Sequence, residues 1–188
     1  SEIVVFPPVK VLIDTCVLYP TVLREMVLGV ARAGLFTPLW SARILEEWVR
    51  AAAKLGPDGV AQAQGEIALT KSAWPDAEVE WRPSLEARLY LPDSHDVHVL
   101  AAAISGSADA IMTLNRKDFP RNILAEEGLD RIEPDGFLYQ LWLEHSDVLG
   151  QVAHDVLAQA NAMSGQTWTI RTLLKKARLP RLGKALAT

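Results

Sequence analysis

Apolar residues in this chain fall into short unbroken runs that alternate with longer stripes at helical spacing. Val9, Val11, Leu12 and Ile13 form the first run, the pattern of a strand buried on both faces of a parallel sheet. After Pro20, the positions Val22, Leu23, Met26, Val27 and Val30 recur at the helical period until Gly34 ends the stripe. Residues 35–40 read as a second strand. Ser41 then precedes a helix over 41–55 with Ile44, Leu45, Trp48, Ala52 and Leu55 on one face, broken by GPDG at 56–59. A third helix is predicted over 59–73. The stretch 74–83, rich in proline and acids, reads as irregular with a short strand at 77–79. LPDS at 91–94 marks a turn, 97–104 is an apolar helix stopped by Gly106, and 110–114 is a short buried strand leading into the polar loop NRKDFP. Pro134 opens a helix carrying Phe137, Leu138, Leu141 and Trp142, and beyond about residue 133 the pattern is helical only. Strand and helix alternation of this kind predicts an α/β fold, a parallel sheet with helices on both faces.

Composition narrows the class without changing that picture. The 188 residues are 49% hydrophobic and 22% charged, ordinary values for a globular protein with a real core. No apolar stretch reaches the ~20 residues of a membrane span, and SEIVVFPPVK lacks a charged-then-apolar leader, so a cytoplasmic location is the expectation. The single cysteine, Cys16, has no partner for an internal disulfide and reads as a small buried thiol. Charge is distributed unevenly. Of 19 basic residues, Arg171, Lys175, Lys176, Arg178, Arg181 and Lys184 lie in 165–188, which contains no acid; the net −4 therefore divides into an acidic body and a basic tail.

The candidate chemistry is acidic and recurs at strand ends. Asp14 closes the first apolar run. It has an ordinary explanation as a helix cap, shared with Thr15, and a functional one, because open α/β sheets bind ligands at the carboxyl ends of their strands. In the helix over 41–55, Glu47 borders the apolar stripe whereas Glu46 faces solvent, where Arg50 is one turn away; Arg43 is the ordinary partner for Glu47. LPDSHDVHVLAAAI holds Asp93 and Asp96 at a helix entry, more acid than one cap requires. His95 and His98, lacking a third histidine or a thiolate nearby, do not make a zinc site; His98 reads as a supporting or phosphate-facing group, or as a surface histidine. After the strand at 110–114 come Thr113, Asn115 and Asp118, for which an Asx-type turn is the ordinary reading. A parallel sheet gathers these edges. Carboxylates collected on one rim repel unless a divalent cation compensates them, and an all-oxygen ligand set suits Mg²⁺ or Mn²⁺. Phosphodiester hydrolysis is the reaction such a site serves best.

Four fragments, VLIDTCVLYP, PLWSARILEEWV, LPDSHDVHVLAAAI and ADAIMTLNRKDFP, taken in order, resemble the PIN-domain family of metal-dependent nucleases, which includes the VapC toxins of bacterial toxin–antitoxin pairs. The resemblance covers most of residues 9–120. It implies a five-stranded parallel sheet and assigns metal-binding and catalytic roles to Asp14, Glu47, Asp96 and Asp118, with Asp93, Thr113 and Asn115 orienting waters or carboxylates. Asn115 stands where many relatives carry Asp, which leaves one ligand neutral and opens the question of one metal or two. The implied activity is that of a Mg²⁺- or Mn²⁺-dependent endoribonuclease acting on RNA such as tRNA or rRNA, with a cognate antitoxin and a homodimeric state. A haloacid-dehalogenase-like phosphatase also places an Asp at a strand end, but needs a second Asp two residues on, where this chain has Cys16. A non-catalytic RNA- or antitoxin-binding module on the same fold is the remaining alternative.

Small VapC-like chains stop near residue 145, so the expected organisation is a nuclease domain over 1–145 and a helical extension over 146–188. Val148, Val152, Val156, Leu157 and Ala160 make one apolar stripe of the extension; Ile170, Leu173, Leu174 and Ala177 make another, ending before Pro180. Arg171, Lys175, Lys176 and Arg178 form the candidate RNA-binding face, since an acidic site needs separate cations to receive a polyanion. The alternative is a solvated face, or one docked on the acidic body. Trp168 either stacks on a base or packs inside.

Overall fold

A computed structural model describes residues 9–188; the leader reading on the first eight residues lies outside them. Four parallel strands, β1 (Lys10–Ile13), β2 (Thr37–Leu39), β3 (Ala110–Met112) and β4 (Asp130–Ile132), lie in the order β2-β1-β3-β4. Register is set by Leu12 opposite Leu39 on one side and Ile111 on the other. Val11, Leu12 and Ile13 are fully buried, as a central strand covered on both faces requires. The fifth strand survives as one parallel bridge, Trp40 to Glu78, in which Trp40 N–H donates to Ala77 O at 3.0 Å and Val79 N–H to Trp40 O at 2.8 Å. The proline- and acid-rich surroundings of 77–79 leave no apolar run to extend it.

Between β1 and β2 lie the four-residue α1 (Thr15–Leu18) and α2 (Thr21–Arg32). The chain then forms α3 (Ala42–Ala52), α4 (Pro57–Ala73), the short α5 (Pro83–Glu86) and α6 (Val97–Ser105) before entering β3 on the opposite side of β1. Connections leave β1 and β3 in opposite directions, which opens a crevice between their carboxyl ends. α6 lies against β1 and β3 and is buried on nearly every side, from Val97 to Ala103, which explains why its sequence is apolar all round rather than striped.

After β3 come α7 (Arg121–Glu126), β4 and α8 (Pro134–Glu144). α7 and β4 are additions to the predicted elements: β4 is three residues long, none of them fully buried, and Asp130 and Arg131 mask its pattern. The tail forms α9 (Ser146–Ser164), α10 (Ile170–Lys176) and α11 (Pro180–Leu186). Pro180 does end the preceding helix, and it also opens α11 from its first turn, where a missing N–H costs nothing. α9 packs on α2, where Gly29 lets Val152 approach to 2.7 Å of the place a Cβ would occupy. Leu149, Val156, Leu173, Leu174 and Leu182 join the same apolar cluster as β1.

Candidate active site

Asp14 is where the strand ends and where α1 begins. Its N–H donates to Met112 O at 3.0 Å, continuing the sheet, while its carboxylate caps α1 by accepting Thr15 N–H at 2.8 Å. Thr113 Oγ1 donates to the other carboxylate oxygen at 2.9 Å, and Cys16 Sγ lies 3.4 Å from it. Asp14 and Thr113 are both buried. Burial is the main reason the Asp14 pKa is raised, against the lowering by its three hydrogen bonds. The same burial, with Asp14 beside it, pushes the Cys16 thiol up to about 12, which makes it a poor nucleophile and supports the inert reading.

Glu47 is half-buried and Glu46 exposed, as the helical stripe predicts, but Arg43 is not the partner of Glu47. Arg43 pairs with Glu86 at 3.7 Å, and Glu47 turns inward. One of its oxygens lies 3.4 Å from Thr15 Oγ1, which also donates to Ile44 O at 2.9 Å. The other touches His98 Nε2. His98 is fully buried, which corrects its reading as a surface histidine: the apolar sequence on every side of it places it inside. The contact with Glu47 is close but not aligned as a hydrogen bond, and Nδ1 has no partner at all.

Asp96 completes a turn before α6 with its carboxyl pushed up to about 6. Desolvation is the largest cause, followed by the charges of Asp14, Asp118, Asp93 and Glu47. Five acids from four separate stretches of sequence therefore share one electrostatic neighbourhood. Asp93 has a job of its own, accepting His95 N–H at 2.9 Å, so one of the paired acids is a cap. Asp118 ends a turn over Arg116–Asp118, and Asn115 is exposed, its backbone N–H donating to Thr113 Oγ1 at 3.1 Å. Among the described residues no three His, Cys, Asp or Glu side chains stand close enough to hold one ion between them. The donor set thus fits a hard divalent cation in chemistry and charge, without a preassembled three-ligand cage.

Arg24 was not singled out by the sequence, although it interrupts the apolar stripe of α2. It is buried, donates to Leu18 O at 2.8 Å and Tyr19 O at 3.2 Å, pairs with Glu66 at 3.2 Å, and stacks 4.6 Å from the Trp48 ring. It satisfies the carbonyls left over at the end of α1 and so fixes the short helix that Asp14 opens.

The tail cations separate. Lys175 and Arg178 border a cavity at the sheet rim with Leu114 and Arg116. Lys176 lies instead over Trp168, 5.0 Å from the ring, and Trp168 is half-buried against the core. Arg171 is exposed and does not line that cavity.

A family model described as a PIN domain matches residues 10–117, more than half of the chain. The chain belongs to the PIN-domain family, a nuclease-type α/β fold whose members are typically hydrolases acting with divalent metals. No curated protein and no solved structure gives a significant match. No helix of the described residues is long and apolar enough to cross a membrane.

Proposed function

We propose that this chain is a Mg²⁺- or Mn²⁺-dependent endoribonuclease of the VapC-like kind, with its catalytic unit in residues 1–145 and 146–188 as an added helical segment. The observation that carries the proposal is Asp96 at the entry of α6, its carboxyl raised to about 6 first by desolvation and then by the charges of Asp14, Asp118, Asp93 and Glu47, acids from four stretches of the chain that sense one another beside the β1/β3 crevice. Asp14, Glu47, Asp96 and Asp118 would hold the ion by drawing in around it, since no three of them are preassembled as a cage; Thr113 fixes the orientation of Asp14, and His98 packs against Glu47. A bound Mg²⁺ or Mn²⁺ supplies charge compensation at the scissile phosphate and a more acidic water. The chain itself contributes a buried, oriented carboxylate at Asp14 and a proton-accepting carboxylate at Asp96. The toxin role, a cognate antitoxin, a homodimer and a tRNA or rRNA target follow from the VapC-like motifs and belong to the same proposal.

The test is an assay of the purified chain on RNA with Mn²⁺ and with EDTA. Cleavage that needs the ion and leaves a 5′-phosphate fits a water as attacking group. Products ending in a 2′,3′-cyclic phosphate contradict it, since they require the substrate's own 2′-hydroxyl. A second reading, a non-catalytic RNA- or antitoxin-binding module, is favoured by neutral Asn115 and by the open arrangement of the acids. RNA binding without cleavage at any Mn²⁺ concentration selects it.

A further inference from the structure

We propose that the cavity between the loops following β3 and β4 and the α10–α11 corner is a groove for the RNA backbone flanking the cleaved bond, with Lys175 and Arg178 as its phosphate-binding cations; this rests on the nuclease reading above. The cavity has a volume of about 480 Å³ and includes Leu114, Arg116, Glu133, Asp135, Lys175 and Arg178 in its lining. Leu114 and Arg116 flank Asn115 in the loop that ends at Asp118, so the groove begins on the same rim as the acids. The tail, which lies outside the segment matched by the family model, brings its cations to that loop.

The acids of the cavity are already engaged. Glu133 accepts from Arg116 at 2.8 Å, an interaction that holds its carboxyl below the usual range. Asp135 accepts the backbone N–H groups of Arg181 at 3.0 Å and Leu182 at 2.9 Å, fastening the start of α11 to α8. Arg181 itself stacks 3.8 Å over Tyr139. The tail is thus docked by its backbone, by Arg181 and by its leucines, whereas Lys175 and Arg178 remain exposed and make no ion pair among the described residues. Arg178 sits at φ 67, a left-handed position that glycine or asparagine fills with less strain. Arg178 contributes to the lining of the cavity. No aromatic ring lines the groove, so it is suited to phosphates rather than bases and positions the strand without reading its sequence. Arg178 offers a fork for two phosphate oxygens and Lys175 a point charge.

The decisive experiment measures binding apart from cleavage. In the full-length chain carrying Asp14→Asn, the affinity of a labelled single-stranded RNA is followed by anisotropy across a salt series. Adding Lys175→Glu with Arg178→Glu is expected to weaken binding at least tenfold near 100 mM salt and to flatten the log–log salt slope by about 1.4, two single-strand phosphate contacts. Adding Lys54→Glu with Lys184→Glu, two exposed lysines giving the same change in net charge, is expected to do much less. Equal losses in the two double variants, or none in the first, overturn the groove. Competition by polyglutamate as strong as by RNA of equal charge also overturns it, assigning the cavity to an acidic protein segment. If the unmodified chain cleaves no RNA with Mn²⁺ yet the groove variant alone loses binding, the nuclease reading fails and the groove stands.

Discussion

Asp14 and Asp118 close the same crevice from adjacent strands, yet they are held in opposite ways. Asp14 is buried and fixed by its own N–H, by Thr15, by Thr113 and by Cys16. Asn115 is exposed and Asp118 half-buried on the turn that follows β3, and neither side chain takes part in a hydrogen bond within the described residues. The β1 side of the rim is therefore preorganised by the fold, while the β3-loop side is left free to adjust. The acids repel one another without forming a closed cage: hydrogen-bonded donors stand on one side and donors without hydrogen bonds on the other.

The largest expected effect comes from the rigid side. Asp14→Asn should reduce Mn²⁺-dependent RNA cleavage to the level of a no-protein blank, while far-UV circular dichroism stays unchanged, because asparagine caps a helix as well as aspartate does. Full activity in this variant would remove Asp14 from the chemistry. Next, Thr113→Val keeps the shape and deletes the hydroxyl that orients Asp14. A loss of about 10–100-fold in activity or Mn²⁺ affinity is expected, the usual consequence of removing a supporting hydrogen bond. A loss of less than twofold would show that burial alone orients the carboxylate.

On the β3-loop side the effects should be smaller and of opposite sign. Asn115→Asp adds a charged oxygen at an exposed position without side-chain hydrogen bonds, so titration calorimetry should show Mn²⁺ binding about 3–10-fold tighter, since affinity for a hard cation follows the charge count of its ligands. Weaker binding would mean that added repulsion outweighs the added ligand.

The smallest signal is in stability against pH. With Asp96 at about 6 rather than 3.8, the native state holds more protons than the unfolded one between those values, so this group's contribution to stability falls as pH rises through the window. Without divalent ion, the Tm of the parent chain relative to Asp96→Asn should therefore rise on going from pH 7.5 to pH 4.5. Mn²⁺ at pH 7.5 should raise the parent's Tm as well. A relative Tm that falls with acidification would show that neither desolvation nor the neighbouring acids raise the Asp96 carboxyl.

Much of the rigid side was legible in the sequence, because it follows from local pattern. An apolar run ending in Asp14 fixes a central strand and its rim, and the helical stripe of α3 by itself separates Glu47 from Glu46. What escaped was long-range. Arg24 and His98 acquire their meaning from Leu18, Glu66 and Glu47, partners that periodicity does not reveal. The strand β4 escaped because an edge strand of three residues carries too little apolar signal, and α11 because a proline that stops one helix also starts the next. The division of the tail cations between two faces depends on how α10 docks, a tertiary property invisible in their spacing.

The double duty of Asp14, finishing a strand and opening a helix, has an evolutionary corollary. Aspartate and asparagine codons differ by one base, and the amide preserves the fold's demand at this position while giving up the charge. For the proposed enzyme, a well-folded decoy that still engages its ligands is thus a single mutational step away from the active form.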